Sequence, residues 1–222
     1  FNKILNWLDN NKPISAHPQK WSNYYKSTEI DYKTPTTIKQ KTIFNILSDL
    51  KPRTVVDLAS NKGYYSCMAA ELGALVLAFD YQEDIVNFIL SIEHINNNIT
   101  PAHMDFNRPT ASFDIGLSWG DSFQRFKSDI VLALGLIHHI CIAQNVPVYL
   151  FCETCKKYTD KAIILEFVDP ADIHVNTWGK QTPKDYTIEK IKVFMAEKFS
   201  HYKISAKLQE DGLNRTFIYF YN

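Results

Sequence analysis

The chain of 222 residues predicts an α/β fold, a seven-stranded and mostly parallel sheet with helices on both faces and an antiparallel hairpin at the C-terminal end. Three observations carry this. Short β-branched apolar runs alternate with segments of helical spacing from residue 54 onward. The run at 54–58 passes directly into a tight turn and a helix, and two late strand-like runs flank Asp211-Gly212, a hairpin signal.

The elements follow in order. Residues 1–35, rich in aromatics and prolines, read as an N-terminal helical or lid segment, separate from a main domain over 36–222. Ile38, Ile43, Phe44, Ile46, Leu47 and Leu50 recur at helical spacing. Strands are expected at Thr54–Leu58, Ala74–Asp80, Ile99–Met104, Asp129–Leu134 and Ala162–Val168. Helices are expected at Tyr64–Leu72 (closed by Gly73), Glu83–His94, Pro147–Lys157 and Thr187–Phe199, with a polar loop over Asp105–Lys127. The hairpin joins Tyr202–Leu208 to Asn214–Tyr221 and is expected to place an antiparallel strand at the sheet edge.

Composition narrows the function. Lys+Arg and Asp+Glu both number 24, without the basic surplus of a chain that lives on phosphate backbones, so no nucleic-acid partner is expected. No apolar run approaches the ~20 residues of a membrane helix and no signal peptide is visible, so no membrane partner and a cytoplasmic location are expected. The chain begins at Phe1 rather than Met, which suggests an excised domain. Of four cysteines, Cys152 and Cys155 form a C-x-x-C without the second pair a zinc ribbon needs, and reduced thiols are expected.

Ligands of open parallel sheets bind beyond the C-terminal strand ends. There, Asp57-Leu58-Ala59-Ser60-Asn61-Lys62-Gly63 joins strand to helix. Such turns bring backbone N–H groups close to a ligand, and glycines keep the approach open. Only Gly63 is a glycine here; Ala59 is small, and Asn61 is the residue after glycine that best tolerates positive φ. Asp80, 23 positions after Asp57, ends the second strand, where an acid accepts from the ribose hydroxyls of an adenosine-containing ligand.

The run TVVDLASNKGYYS followed by ALVLAFD resembles the first motif and following acid of class I S-adenosylmethionine (SAM)-dependent methyltransferases. The runs Asp129–His139, Asn145-Val146-Pro147, Glu166–Asp172, Asp185-Tyr186-Thr187 and Arg215-Thr216-Phe217 are similar to a bacterial subgroup related to nodulation-type methyltransferases. The resemblance implies a Rossmann-like sheet, SAM as cofactor and a small-molecule acceptor. It implies that Gly63 and the Ala59, Ser60 and Asn61 backbone face the methionine moiety, with Asp80 at the ribose and Tyr81 or Phe79 at the adenine. Asp105 would accept from the adenine amino group, Leu134 with Gly135 would line the sulfonium, and Asp57 and Met104 also belong to the cofactor site.

His138 and His139 follow the fourth strand, where such enzymes keep acceptor-side groups, and an imidazole can take the proton of a hydroxyl or nitrogen acceptor. Glu166 ends the neighbouring strand and can orient a histidine, bind the acceptor or, with the histidines, hold a metal; no metal is assigned. Lys39 and Lys41 can reach the SAM carboxylate, and Trp21-Ser22-Asn23-Tyr24-Tyr25 can form a lid. The reaction expected is methyl transfer to an O or N acceptor. A non-catalytic binding module and a carbon-methylating module of a biosynthetic enzyme stand as alternatives.

Overall fold

The computed structural model describes Lys3 and residues 34–91 and 98–222. The lid expected over residues 21–25 and the end of the helix expected to reach His94 lie outside the described residues. Helix α1 (Ile38–Leu50) starts on a capping box in which the Thr37 side chain accepts from the Gln40 N–H and the Gln40 side chain returns to the Thr37 backbone. Then β1 (Thr54–Leu58), α2 (Tyr64–Glu71), β2 (Leu75–Asp80), α3 (Glu83–Ser91) and β3 (Ile99–His103) follow as the spacing predicts.

The stretch expected to be a polar loop contains a short helix, α4 (Ser122–Arg125), capped by Asp121 and too brief to show periodicity. After it come β4 (Ser128–Ala133), α5 (Val148–Lys157), β5 (Thr159–Val168), α6 (Ile188–Ala196), β6 (His201–Leu208) and β7 (Arg215–Tyr221). Strand β5 begins three residues before the predicted Ala162, because the Thr159 hydroxyl bonds to the Asp129 carbonyl at 2.9 Å and so satisfies the strand's polar start.

The seven strands lie in the order β3-β2-β1-β4-β5-β7-β6. All neighbouring pairs are parallel as far as β5, whereas β7 runs antiparallel to both β5 and β6. The antiparallel strand is therefore not the edge strand expected from the sequence. It is inserted one place in, between β5 and β6, and the edge is β6.

Alternation along the strands supplies both faces. Val56, Val131 and Ile163 join α5 and α6 in one core, through Phe151, Cys155, Ile191 and Met195. Val55, Ile130 and Ile164 join α1, α2 and α3 in the other, through Leu47, Met68 and Ile89. Consecutive residues of one strand thus serve opposite layers, as the continuous apolar runs require.

Candidate active site

From β1 the order runs outward in both directions, to β2 on one side and β4 on the other. At this switch point a cavity of about 700 Å³ opens over the C-terminal strand ends, within the ~300–1,000 Å³ typical of ligand sites. It is lined at the end of β1 by Asp57, Ala59, Ser60 and Asn61 and at the end of β2 by Asp80 and Tyr81. Met104 and Asp105 follow β3, and Leu134, His138 and His139 follow β4. Two residues expected at the site stand apart from this lining, Gly63 and Glu166.

The turn after β1 explains how a chain with one glycine forms it. Ala59 has φ +62°, Asn61 +48° and Gly63 +76°, so all three take the left-handed conformation. The Asn61 side chain accepts from the Lys62 N–H at 2.7 Å, a local bond that helps a non-glycine residue hold this shape. Gly63 caps α2, and a Cβ there would lie 3.4 Å from the Ile89 side chain. Its role is to pass between α2 and α3 rather than to face the cavity.

Ala59 has no such side-chain bond, and left-handed geometry costs a non-glycine residue roughly 1–2 kcal/mol. Part of that is offset by the extra unfolded-state entropy of glycine, on the order of 0.5–1 kcal/mol. Ala59→Gly is therefore expected to stabilise the fold by about 0.5–1 kcal/mol in urea denaturation. A loss of stability would contradict the strain assigned to this position.

Asp80 anchors the turn from the next strand. One carboxylate oxygen accepts from the Asn61 N–H and the other from the Gln82 N–H, both at 3.0 Å. A carboxylate has about four lone-pair sites, so acceptor capacity remains for a ligand. Burial raises the Asp80 carboxyl above its ordinary value, opposed by the Gln82, Asn61 and Tyr81 N–H groups. Asp57 is more strongly affected. Burial pushes it up to about 6 against the opposing Ser66 hydroxyl at 2.6 Å. Asp105 accepts from the Asn107 N–H at 2.9 Å through one oxygen.

Across the cavity, His138 is buried and its Nδ1 has no hydrogen-bond partner among the described residues. Burial first, then the neighbouring His139, Arg215, Lys39 and His174, push its pKa down to about 2, so the ring is neutral. It packs 4.1 Å from the His139 ring and stacks at 20° on Trp178, 5.5 Å between centroids. His139 opens a π-helical turn, His139–Ala143, a distortion common at functional sites.

Glu166 has a different setting from the one the sequence suggested. Strand alternation puts it on the side of Ala162 and Ile164, facing α1, whereas Ile137 and Ile140 of the histidine segment pack in the opposite core. Its oxygens accept from Lys39 Nζ at 2.6 Å and from Arg215 Nη1 at 3.0 Å. Burial alone would raise its pKa, but the two cations hold it below the ordinary carboxylate range. Arg215 Nε also donates to Asp172 at 3.1 Å, and Asp172 accepts from the His174 and Asn214 N–H groups. A chain of ionic contacts thus ties α1, the end of β5, the loop after β5 and the start of β7 together. Lys39, expected at a cofactor carboxylate, both lines the cavity and is paired with Glu166.

That loop supplies the residues that sequence reading missed. Ile173, His174, Thr177 and Trp178 all line the cavity, with Tyr65 of α2 and Arg215 of β7. None of the four loop residues stands at a strand end or in a periodic run, so no local signal marks them. Arg215 was visible only as part of a motif near the chain end; its insertion opposite Val168 of β5 brings it to the site. Among the described residues no group of three or more His, Cys, Asp or Glu side chains is arranged to hold a metal, and no helix is long and apolar enough to cross a membrane. Cys67, Cys141, Cys152 and Cys155 are free and buried.

No family model matches the chain. It is 29% identical over 174 residues to the nodulation protein NoeA of Rhizobium meliloti (strain 1021), an alignment covering 77% of this chain and 36% of that protein. The bifunctional kinase-methyltransferase WbdD superposes with a TM-score of 0.61 at 17% identity, over 98% of this chain and 46% of that one. The N-terminal domain of EvdMO1, crystallised in the presence of S-adenosylhomocysteine (SAH) and D-fucose, superposes with a TM-score of 0.60 at 11% identity, over 99% and 96%. The chain thus spans about a third of NoeA and half of WbdD. A nodulation-protein relative and methyltransferase structures match the resemblance read from the motifs, and the chain has a methyltransferase-like fold.

Proposed function

We propose, taking the methyltransferase-like fold as premise, that this chain binds SAM and directs its methyl group to an oxygen or nitrogen of a small molecule. The observation that carries the reading is the left-handed turn of Ala59, Asn61 and Gly63, pinned by an Asp80 carboxylate that keeps acceptor capacity for a ribose. The residues present suit the cofactor in type and order along the rim. The SAH-bound EvdMO1 domain of the same fold supports that choice, and its D-fucose supports a hydroxylated acceptor.

When bound, SAM would supply a methyl group from its sulfonium sulfur, the C–S bond breaking as the acceptor's bond to that carbon forms, with SAH as the thioether product. The chain aligns the partners and excludes water, which is most of what such a displacement requires. Asp80 holds the ribose, Asp105 faces the adenine, and Leu134 and Gly135 flank the reacting centre. His139 takes the proton of the acceptor hydroxyl as its oxygen bonds to the methyl carbon, and the neutral His138 beside it helps to position the acceptor. Isothermal titration with SAM and SAH tests the reading. Heat is expected with both, and folded protein giving heat with neither would sink it.

A further inference from the structure

The two halves of the cavity differ in charge. The lining carboxylates, Asp57, Asp80 and Asp105, all stand at the ends of β1, β2 and β3, on the side assigned to the cofactor. The opposite wall is built from the segment after β4 and the loop after β5. The two cations that line the cavity beside it, Lys39 of α1 and Arg215 of β7, are paired, Lys39 with Glu166 at 2.6 Å and Arg215 with Glu166 and Asp172 at 3.0 and 3.1 Å. His138 is held uncharged. What this wall offers is the half-buried indole of Trp178, imidazoles stacked against it, and the Thr177 hydroxyl.

Each acceptor class meets this wall differently. A phosphate or carboxylate would need a cation with unspent charge, and both Arg215 and Lys39 are already paired with Glu166. An ammonium group would need a carboxylate on this side, and among the described residues none lines it. A neutral ring with an apolar C–H face and hydroxyl edges meets no such penalty. The face lies on Trp178 and the edges bond to imidazole and hydroxyl groups. His138 Nδ1, a buried acceptor or donor without a partner among the described residues, is an unmet polar demand in this wall.

We propose that the wall formed by Trp178, Thr177, His138 and His139 is an acceptor subsite for an uncharged pyranoside, with Trp178 as its stacking platform. This rests on the methyltransferase reading above and names the substrate class of the same site. The loop is fixed for the purpose. Asp172 bonds to the backbone N–H groups of His174 and Asn214, and the Ile173 N–H donates to the Gly212 carbonyl at 2.9 Å.

The test uses SAH-saturated protein and saturation-transfer NMR with four probes: methyl α-D-glucopyranoside, methyl α-D-galactopyranoside, glucosamine and glucose 6-phosphate. Transfer to the ring C–H protons of at least one neutral pyranoside is expected, exceeding that to the amine and the phosphate. Trp178→Ala should weaken that binding about 2–10-fold, the range for losing one aromatic stack, while Trp178→Phe keeps most of it. SAH titrated into the same variants should give unchanged affinity, which separates loss of the platform from loss of the fold. Preference for glucose 6-phosphate or glucosamine, no transfer to either neutral ring, or an unaffected Trp178→Ala would each overturn the proposal. No SAH heat in the wild-type protein would instead overturn the methyltransferase reading beneath it.

Discussion

Asp80→Ala is expected to lower SAH affinity on the order of 100-fold by isothermal titration. Two hydrogen bonds to a charged acceptor are worth about 1.5–3 kcal/mol each, and about 3 kcal/mol in total already corresponds to a factor above 100. The substitution also removes the acceptor for the Asn61 and Gln82 N–H groups, loosening the turn as well as the ribose contact. Asp80→Asn should fall between, near tenfold, because an amide oxygen still accepts but cannot serve both N–H groups and a ligand. Unchanged affinity in Asp80→Ala would refute the ribose assignment while leaving the fold intact.

Glu166→Ala is expected to be the most destabilising single change at the site. It leaves Lys39 and Arg215 without their shared counter-charge in a place where Glu166 is fully buried. Breaking a buried pair from one side costs about 3–5 kcal/mol, which for a domain of this size is on the order of 10 °C in Tm. The effect carries a pH signature. Glu166 is held below its ordinary 4.5, so its stabilisation is fully present above that value and is lost as pH falls through the lower folded-state value. The gap between wild type and Glu166→Ala should be widest at neutral pH and close in acid. A gap that persists unchanged at pH 3 would assign the loss to packing rather than to charge.

Much of this was legible in the residues because it depends on local rules. Strand β1 matches its predicted limits, and β2, β3 and β4 fall within a residue of theirs, because buried parallel strands announce themselves as apolar runs. The turn was legible as well: Asn61 is the non-glycine residue type most tolerant of positive φ, and it has φ +48°. Ala59 reads in the sequence only as a small residue, yet it shares the left-handed shape, a strain that side-chain size does not reveal. Glu166 marks another boundary. Its place at the end of β5 follows from the run AIILEFV, but its partners come from α1 and β7, over 40 residues away in both directions. The loop wall around Trp178 lay out of reach because its position is set by Asp172 and Arg215, contacts without sequence spacing.

The place of β7 between β5 and β6 bears on how the chain comes off the ribosome. Synthesis is vectorial, and Arg215–Tyr221 is the last in chain order of this sheet's described strands, yet it forms the interior ladder on which β6 depends. Until it emerges, β5 has an open edge, β6 has nothing to pair with, and Glu166 lacks one of its two cations. The sheet cannot zip shut from one end as it is translated. A chain lacking residues from 215 on would leave β5 with an open edge and β6 unpaired, the kind of surface that recruits chaperones or mispairs with a neighbour.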